Sequence, residues 1–112
     1  MRGVPVLLLT TTGRKSGREW TVPVLYQTDG DRWVVVASAA GNPRHPAWWL
    51  NLRSHPDATV QIGRDTHPVH AAEVDGDERA RLWRLMAAAY PAYDDYTRRT
   101  TRTIPVVVLR RR

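Results

Sequence analysis

The feature that most constrains the fold is an alternation of residues along Glu19–Thr28, where every second side chain is apolar. This period is that of a strand with one face turned to a core. An apolar run, Val4–Thr11, precedes it, and its near-continuous hydrophobicity predicts burial on both faces. The turn signal Asp29-Gly30-Asp31 follows and leads into the valine-rich run Arg32–Ser38. Three strands with such short links predict an antiparallel meander.

The rest of the chain alternates short helices with short strands. The predicted elements are a loop at Ala39–Pro46, a short helix at Pro46–Ser54, a hairpin of Ala58–Gly63 and Pro68–Val74, a helix at Glu78–Ala89, a short helix from Pro91 to about Tyr96, and a strand at Ile104–Leu109. About six antiparallel strands with two or three short helices indicate a mainly β, α+β fold, a small barrel with helices at its mouth. A chain of 112 residues has room for one core, so 1–112 is a single domain.

Composition narrows the classes of partner. The net charge is +6, and Lys15 is the only lysine among 17 basic residues, so arginine supplies the excess. Such a chain suits an anionic partner: nucleic acid, anionic lipid or an acidic small molecule. The absence of cysteine excludes disulfides and thiolate chemistry, and the four histidines lack metal-binding spacing, so no metal is expected. No apolar run approaches the ~20 residues of a membrane span, so a cytoplasmic location is expected.

A basic hairpin, Thr10–Arg18, is the first candidate site. It places Arg14, Lys15 and Arg18 beside a serine hydroxyl and the backbone amides of a glycine turn. Cations and free N–H groups together bind phosphate or carboxylate. The alternative is a solvated hairpin tip without a ligand. A Walker A loop is excluded because its spacing is absent.

Aromatic residues mark a second candidate site. In Ser38–Asn51, loop amides and Ser38 can bind the polar edge of a ring, while Trp48 or Trp49 covers its apolar face. Adjacent helical residues point about 100° apart, so one tryptophan can be buried while the other faces a cleft. Three tyrosines at every third position, Tyr90, Tyr93 and Tyr96, form a row of phenols that can stack or hydrogen-bond. The alternative for these aromatic residues is packing alone.

Four segments in series resemble one family. TTGRKSGR, WVVVASAAGNPRHPAWWLNL, AYPAYDDY and RTIPVVVL are similar to the deazaflavin-dependent nitroreductases and quinone reductases, over about Val6 to Leu109. The resemblance implies a split β-barrel related to the flavin-mononucleotide-binding barrels. It also implies coenzyme F420, usually reduced (F420H2), which has a deazaflavin ring, a phosphate and an oligoglutamate tail. The implied reaction is hydride transfer to a small conjugated acceptor such as a quinone or nitroaromatic.

The resemblance also implies roles for single residues. The cofactor's phosphate and tail would be held by Arg14, Lys15, Ser16, Gly17 and Arg18, and its ring by Ala37, Ser38, Ala39, Ala40, Trp48, Trp49, Leu50 and Asn51. The acceptor pocket would contain Tyr26, Tyr90, Tyr93 and Tyr96. Ser38, Tyr93 and Tyr96 would be catalytic, protonating or hydrogen-bonding the reduced acceptor.

Two other functions remain open from the residues themselves. The first is an oxidoreductase or carrier that uses flavin mononucleotide (FMN) in the same pocket. The second is a non-catalytic nucleic-acid-binding barrel, which fits the charge, but the cations gather at a turn and at the C-terminal tail rather than along a strand face. We therefore expect a small-molecule electron acceptor and no nucleic acid. A homodimer is expected, because small split barrels commonly pair. Many relatives carry an amphipathic segment before the first strand, and no such segment here supports peripheral membrane contact.

Overall fold

Seven strands form one antiparallel sheet in the computed structural model, which describes residues 5–112. The strands are β1 (Val6–Thr12), β2 (Glu19–Leu25), β3 (Gln27–Asp29), β4 (Arg32–Val36), β5 (Asp57–Ile62), β6 (Asp65–Val74) and β7 (Val106–Arg111). Three helices accompany them: α1 (Ala47–Ser54), α2 (Gly76–Ala89) and α3 (Ala92–Thr97). The order across the sheet is β2-β1-β5-β6-β7-β4-β3. Val4, the first residue of the predicted first strand, lies outside the described residues.

The alternating run that was predicted as one strand is two strands, β2 and β3, separated by Tyr26. β2 pairs with β1 along its whole length, and β3 pairs with β4. The two strands therefore lie at opposite edges of the sheet although a single residue joins them. The sheet must curl for one segment to reach both edges, which makes it a barrel. The predicted pairings are confirmed, and the division at Tyr26 accounts for seven strands instead of six.

The curled sheet has a core on each face. Inside the barrel, Leu7, Leu9, Trp33 and Trp49 are buried. Outside it, the second core lies where α2 packs on β3, β4 and β7. This outer core includes Val34, Val36, Val106, Leu82, Met86 and Ile104. Both faces of β4 are buried from Trp33 to Val36, which explains why its sequence is apolar without alternation.

β1 does not share that arrangement. Leu7 and Leu9 point into the barrel, whereas Val6 is 45% exposed and Leu8 is 40% exposed. The prediction that this strand is buried on both faces was wrong, because the helix α2 covers β3, β4 and β7 instead. The outer face of β1 is thus an apolar surface open to solvent.

Ion pairs fix α2 against the β3–β4 hairpin. Arg32 contacts Asp29 at 2.6 Å and Glu78 at 2.7 Å. Arg81 donates two hydrogen bonds to the same Asp29, at 2.9 and 3.0 Å, instead of pairing with Asp77 on its own helix. The two guanidinium groups hold the pKa of Asp29 well below its usual range. Among residues 5–112, no helix has the length and apolar character needed to cross a membrane.

Candidate functional site

The basic hairpin between β1 and β2 is closed by its own backbone. The Gly13 N–H donates to the carbonyl oxygen of Arg18 at 2.7 Å, and the Gly17 N–H donates to that of Gly13 at 3.0 Å. A Cβ atom on Gly13 would lie 2.9 Å from the Ser16 hydroxyl and 3.1 Å from Trp20 Nε1. Gly17 has a φ of 72°, which only glycine adopts without strain. The positive φ therefore requires glycine at position 17, and a side chain at position 13 would crowd Ser16 and Trp20.

A buried amide ties this hairpin to helix α1. Asn51 is 5% exposed, and its Nδ2 donates to Thr11 Oγ1 at 3.1 Å. Its Oδ1 accepts a hydrogen bond from the Arg14 backbone N–H, also at 3.1 Å. The position of Arg14 is thus set by a side chain that lies 37 residues further along the chain.

Next to the hairpin lies a cavity of about 330 Å³, which we call the basic cavity. It is lined by Thr11, Gly13, Arg14, Lys15, Trp20, Val22, Ala47, Trp48 and Asn51. Two cations border a space whose other walls are largely aromatic and aliphatic. Such a combination suits a flat ring that carries an acidic group at one end.

The loop after β4 contains a left-handed turn. Ala39, Ala40 and Gly41 have φ values of 47°, 53° and 77°. A Cβ atom on Gly41 would lie 3.0 Å from the Tyr96 carbonyl oxygen and 3.0 Å from Arg99 Cβ, so this turn packs closely on α3. Positive φ is unfavourable for alanine, and such strain is typical of functional sites.

This turn borders a second cavity of about 220 Å³, which we call the tyrosine cavity. Its lining is Pro23, Val24, Leu25, Val36, Ser38, Ala39, Ala40, Pro46, Trp48, Tyr90, Tyr93 and Tyr96. Trp48 is therefore common to both cavities. The hydroxyl groups of Tyr90 and Tyr96 lie 3.3 Å apart. Burial, together with the two neighbouring tyrosines, raises the pKa of Tyr93 to about 12.

Comparison with known proteins assigns the family. The profile of the F420H(2)-dependent quinone reductases matches residues 1–111. The chain belongs to this family. Its members are oxidoreductases, and the prediction of an F420H2-dependent oxidoreductase from this group is confirmed.

Individual relatives agree with this assignment. Rv3178 of Mycobacterium tuberculosis is 47% identical over 109 residues, covering 97% of this chain and 92% of its own. The F420H(2)-dependent quinone reductase Rv1261c of the same species is 41% identical over 111 residues, covering 96% of this chain and 74% of its own. The solved structure of an F420-H2 dependent reductase, FDR-A, superposes with a TM-score of 0.86 at 40% identity, covering 94% of this chain and 93% of its own. The predicted split β-barrel is confirmed by this likeness.

The structure brings together most of the residues predicted for the site of this quinone reductase family member. Arg14, Lys15, Trp48 and Asn51 line the basic cavity, whereas Ser38, Ala39, Ala40, Trp48, Tyr90, Tyr93 and Tyr96 line the tyrosine cavity. Ser16, Gly17, Arg18, Tyr26, Ala37, Trp49 and Leu50 line neither. Ala37 and Trp49 lie in the barrel core, at 0% and 4% exposure, because their side chains point inward. Contacts of all these residues with a ligand, whether they line a cavity or not, stay predictions.

Sequence reasoning missed several lining residues. Trp20 and Val22 lie on the same face of β2 as the core residue Val24, and they reach the basic cavity because β2 extends beyond the barrel core towards the hairpin. The alternation of the run places Trp20 on the same face as the core residue Val24. It gives no sign that Trp20 lies beyond the core, where it is 57% exposed. Thr11 is found through its bond to Asn51 and carries no sequence signal of its own.

The residues around the two cavities are chemically suited to the cofactor of this family. F420 combines a flat ring with a phosphate and an acidic tail, and the basic cavity combines aromatic walls with Arg14 and Lys15 at its border. Ser38 and the alanine turn at the tyrosine cavity offer polar backbone beside apolar methyl groups. Both ends of such a cofactor therefore have chemically suitable partners.

Replacing Asn51 tests whether this buried amide positions the hairpin. Asn51→Leu keeps the number and branching of the side-chain heavy atoms but leaves the Arg14 N–H and the Thr11 hydroxyl without their partner. We expect the free energy of unfolding to fall by about 2 kcal/mol and F420 to bind more weakly. Denaturant unfolding and ligand titration measure the two effects.

The matched control is Thr10→Val on β1, beside the Asn51 partner Thr11, which removes an exposed hydrogen bond of 2.7 Å to Thr21. It should cost no more than about 0.5 kcal/mol and leave F420 affinity unchanged. Equal effects of the two variants on both measurements would contradict the role of Asn51.

Proposed function

We propose that this protein transfers a hydride from F420H2 to a quinone-class acceptor, with the cofactor's acidic end at the basic hairpin and the acceptor in the tyrosine cavity. The observation that carries the proposal is the shared wall: Trp48 borders both cavities. A cofactor ring against Trp48 would have its charged end at Arg14 and Lys15. The opposite end would face the phenols.

In this proposal the basic hairpin binds the acidic end of F420H2 and orients the cofactor. Arg14 offers a planar fork suited to phosphate or carboxylate, and Lys15 adds a second positive charge. Asn51 fixes the backbone of Arg14, so that part of the ordering is complete before a ligand arrives. The bound F420H2 supplies the hydride, and the protein supplies position and electrostatics.

The tyrosine cavity suits an acceptor whose oxygen atoms gain negative charge during reduction. Burial and neighbouring phenols raise the pKa of Tyr93, and the hydrogen bond with Tyr90 together with burial raises the pKa of Tyr96. These phenols are therefore neutral at physiological pH and can donate hydrogen bonds. We propose this role, rather than fast proton transfer, for Tyr93, Tyr96 and the nearby Ser38.

The double variant Arg14→Ala/Lys15→Ala tests the cofactor end of the site. Loss of both cations should weaken F420 binding on the order of 100-fold and flatten its salt dependence, because the ionic part of the affinity is removed. Titration followed by tryptophan fluorescence at several salt concentrations measures both effects.

The control, Arg64→Ala/Arg84→Ala, removes the same net charge from the β5–β6 turn and from α2, away from both cavities. It should reduce affinity by less than about threefold, through the general field alone. If the two double variants bind F420 equally well, the hairpin does not hold the acidic end.

Tyr96→Phe tests the acceptor end. Removing the hydroxyl that lies 3.3 Å from that of Tyr90 should raise the KM for a soluble naphthoquinone about tenfold and leave F420 affinity unchanged. Because the pKa of Tyr93 is raised to about 12, the wild-type rate should show no titration of this phenol between pH 6 and pH 9. Thr97→Val is the control, since it removes a hydroxyl from the same helix, α3, and Thr97 lines neither cavity. An unchanged KM in Tyr96→Phe would place the acceptor elsewhere.

We also propose that the protein forms a homodimer. One similar solved structure is described as a domain-swapped dimer; it is 40% identical with a TM-score of 0.86, and the match covers 94% of this chain and 79% of that one. In this chain the exposed Val6 and Leu8 give the outer face of β1 the apolar character of an interface.

Sedimentation equilibrium tests the homodimer. The wild type should show twice the chain mass, and Leu8→Glu should shift the measured mass to that of the monomer. A monomer mass for the wild type at high concentration would refute the proposal.

A further inference from the structure

Arg102 makes three hydrogen bonds to one loop. Its Nη2 donates to the Ser38 carbonyl oxygen at 2.6 Å, and its Nε donates to the Asn42 carbonyl oxygen at 2.8 Å. Its Nη1 lies 3.1 Å from Nδ1 of His45. The arginine lies in the segment between α3 and β7, so it connects parts of the chain about sixty residues apart.

The partners of this guanidinium are neutral. In the part of the chain that the structure describes, no carboxylate forms a salt bridge with Arg102, and burial lowers the pKa of its side chain. His45 accepts at Nδ1 as a neutral ring, since burial and the adjacent Arg102 lower its pKa. A guanidinium presents its N–H donors in a fixed plane. Arg102 can therefore hold several neutral acceptors of one loop in a fixed arrangement.

The two carbonyl groups that Arg102 binds flank the left-handed turn. Ser38 comes immediately before Ala39, and Asn42 immediately after Gly41. Alanine is unfavourable at positive φ, so the turn at Ala39 and Ala40 needs contacts that hold it. Arg102 provides them at both ends of the turn. It thereby fixes the segment whose residues Ser38, Ala39 and Ala40 border the tyrosine cavity.

We propose that Arg102 is a positioning residue for the reaction: it holds the left-handed turn in the shape that seats the cofactor ring and acceptor. The inference rests on the proposed function of the tyrosine cavity. Arg102 itself does not line that cavity, so it acts through the turn. Its absence should loosen the turn and leave the basic hairpin in place, because the two are bound by different side chains.

The test compares Arg102→Ala with Arg112→Ala. Arg112 is a matched control because it also donates to two carbonyl groups, those of Val69 and Ala58, at 3.0 and 3.2 Å. In Arg102→Ala, amide hydrogen exchange over residues 38–45 should accelerate at least about tenfold. The kcat should fall on the order of tenfold, while the F420 dissociation constant should rise far less than in Arg14→Ala/Lys15→Ala, because the cationic hairpin is intact and only the seat of the ring is loosened. Arg112→Ala should leave exchange in this loop and kcat unchanged.

Guanidinium ion gives a readout that a general structural role would not produce. At concentrations far below denaturation it should occupy the space left in Arg102→Ala, slow exchange in residues 38–45 and restore part of kcat. The same ion should not improve Arg112→Ala. Arg102→Lys, the variant with the preserved charge, should resemble Arg102→Ala, because one ammonium group cannot reach both flanking carbonyl oxygens in a planar array.

These outcomes separate the inference from the proposed function. Loop exchange and its rescue by guanidinium require no acceptor, so they test the hold on the turn even if the wild type fails to reduce quinones. Unchanged loop exchange in both Arg102 variants would overturn the inference. A loss of kcat that guanidinium does not relieve, or that Arg112→Ala reproduces, would overturn it as well.

Discussion

The structure depends on one segment that serves two edges of a sheet. β2 and β3 are separated only by Tyr26, yet β2 is the first strand across the sheet and β3 is the last. A flat sheet cannot bring its two edges to a single residue, so the sheet curls and closes around the barrel core. The same connection joins β2, whose Trp20 and Val22 line the basic cavity, to the β3–β4 hairpin, whose following loop borders the tyrosine cavity.

Trp48 shows how the barrel divides its mouth. Trp48 and Trp49 are consecutive on α1, so their side chains diverge by about 100°. Trp49 is buried at 4% exposure in the barrel core, which anchors the helix, while Trp48 is left between the two cavities. The same helix carries Asn51, whose amide reaches the hairpin. One short helix therefore sets the common wall and the position of Arg14 together.

The sequence predicted those parts of the fold and site whose cause is local. Alternation, proline and glycine located the strands and helices within a few residues, and the divergence of two adjacent tryptophans was foreseeable from helix geometry. The parts it missed depend on long-range contacts. No local pattern shows that Tyr26 divides a strand, that Arg81 prefers Asp29 to Asp77, or that Asn51 meets Arg14. The apolar run of β1 reads as buried because nothing in it reveals which strands α2 will cover. Its exposed half is determined by helix placement.

The left-handed turn is the part least accessible to sequence reasoning, and its energetics explain why. Glycine would be the favoured residue at a positive φ, so Ala39 and Ala40 place the chain at a cost of about 1–2 kcal/mol per residue. Hydrogen bonds to a charged donor contribute about 1.5–3 kcal/mol each, so the pair from Arg102 to Ser38 and Asn42 is of the size needed to offset that cost. Glycine would remove the strain, but also the two methyl groups that border the tyrosine cavity. The strained turn therefore keeps Ala39 and Ala40 as part of the cavity wall, and Arg102, about sixty residues further along the chain, stabilises the turn.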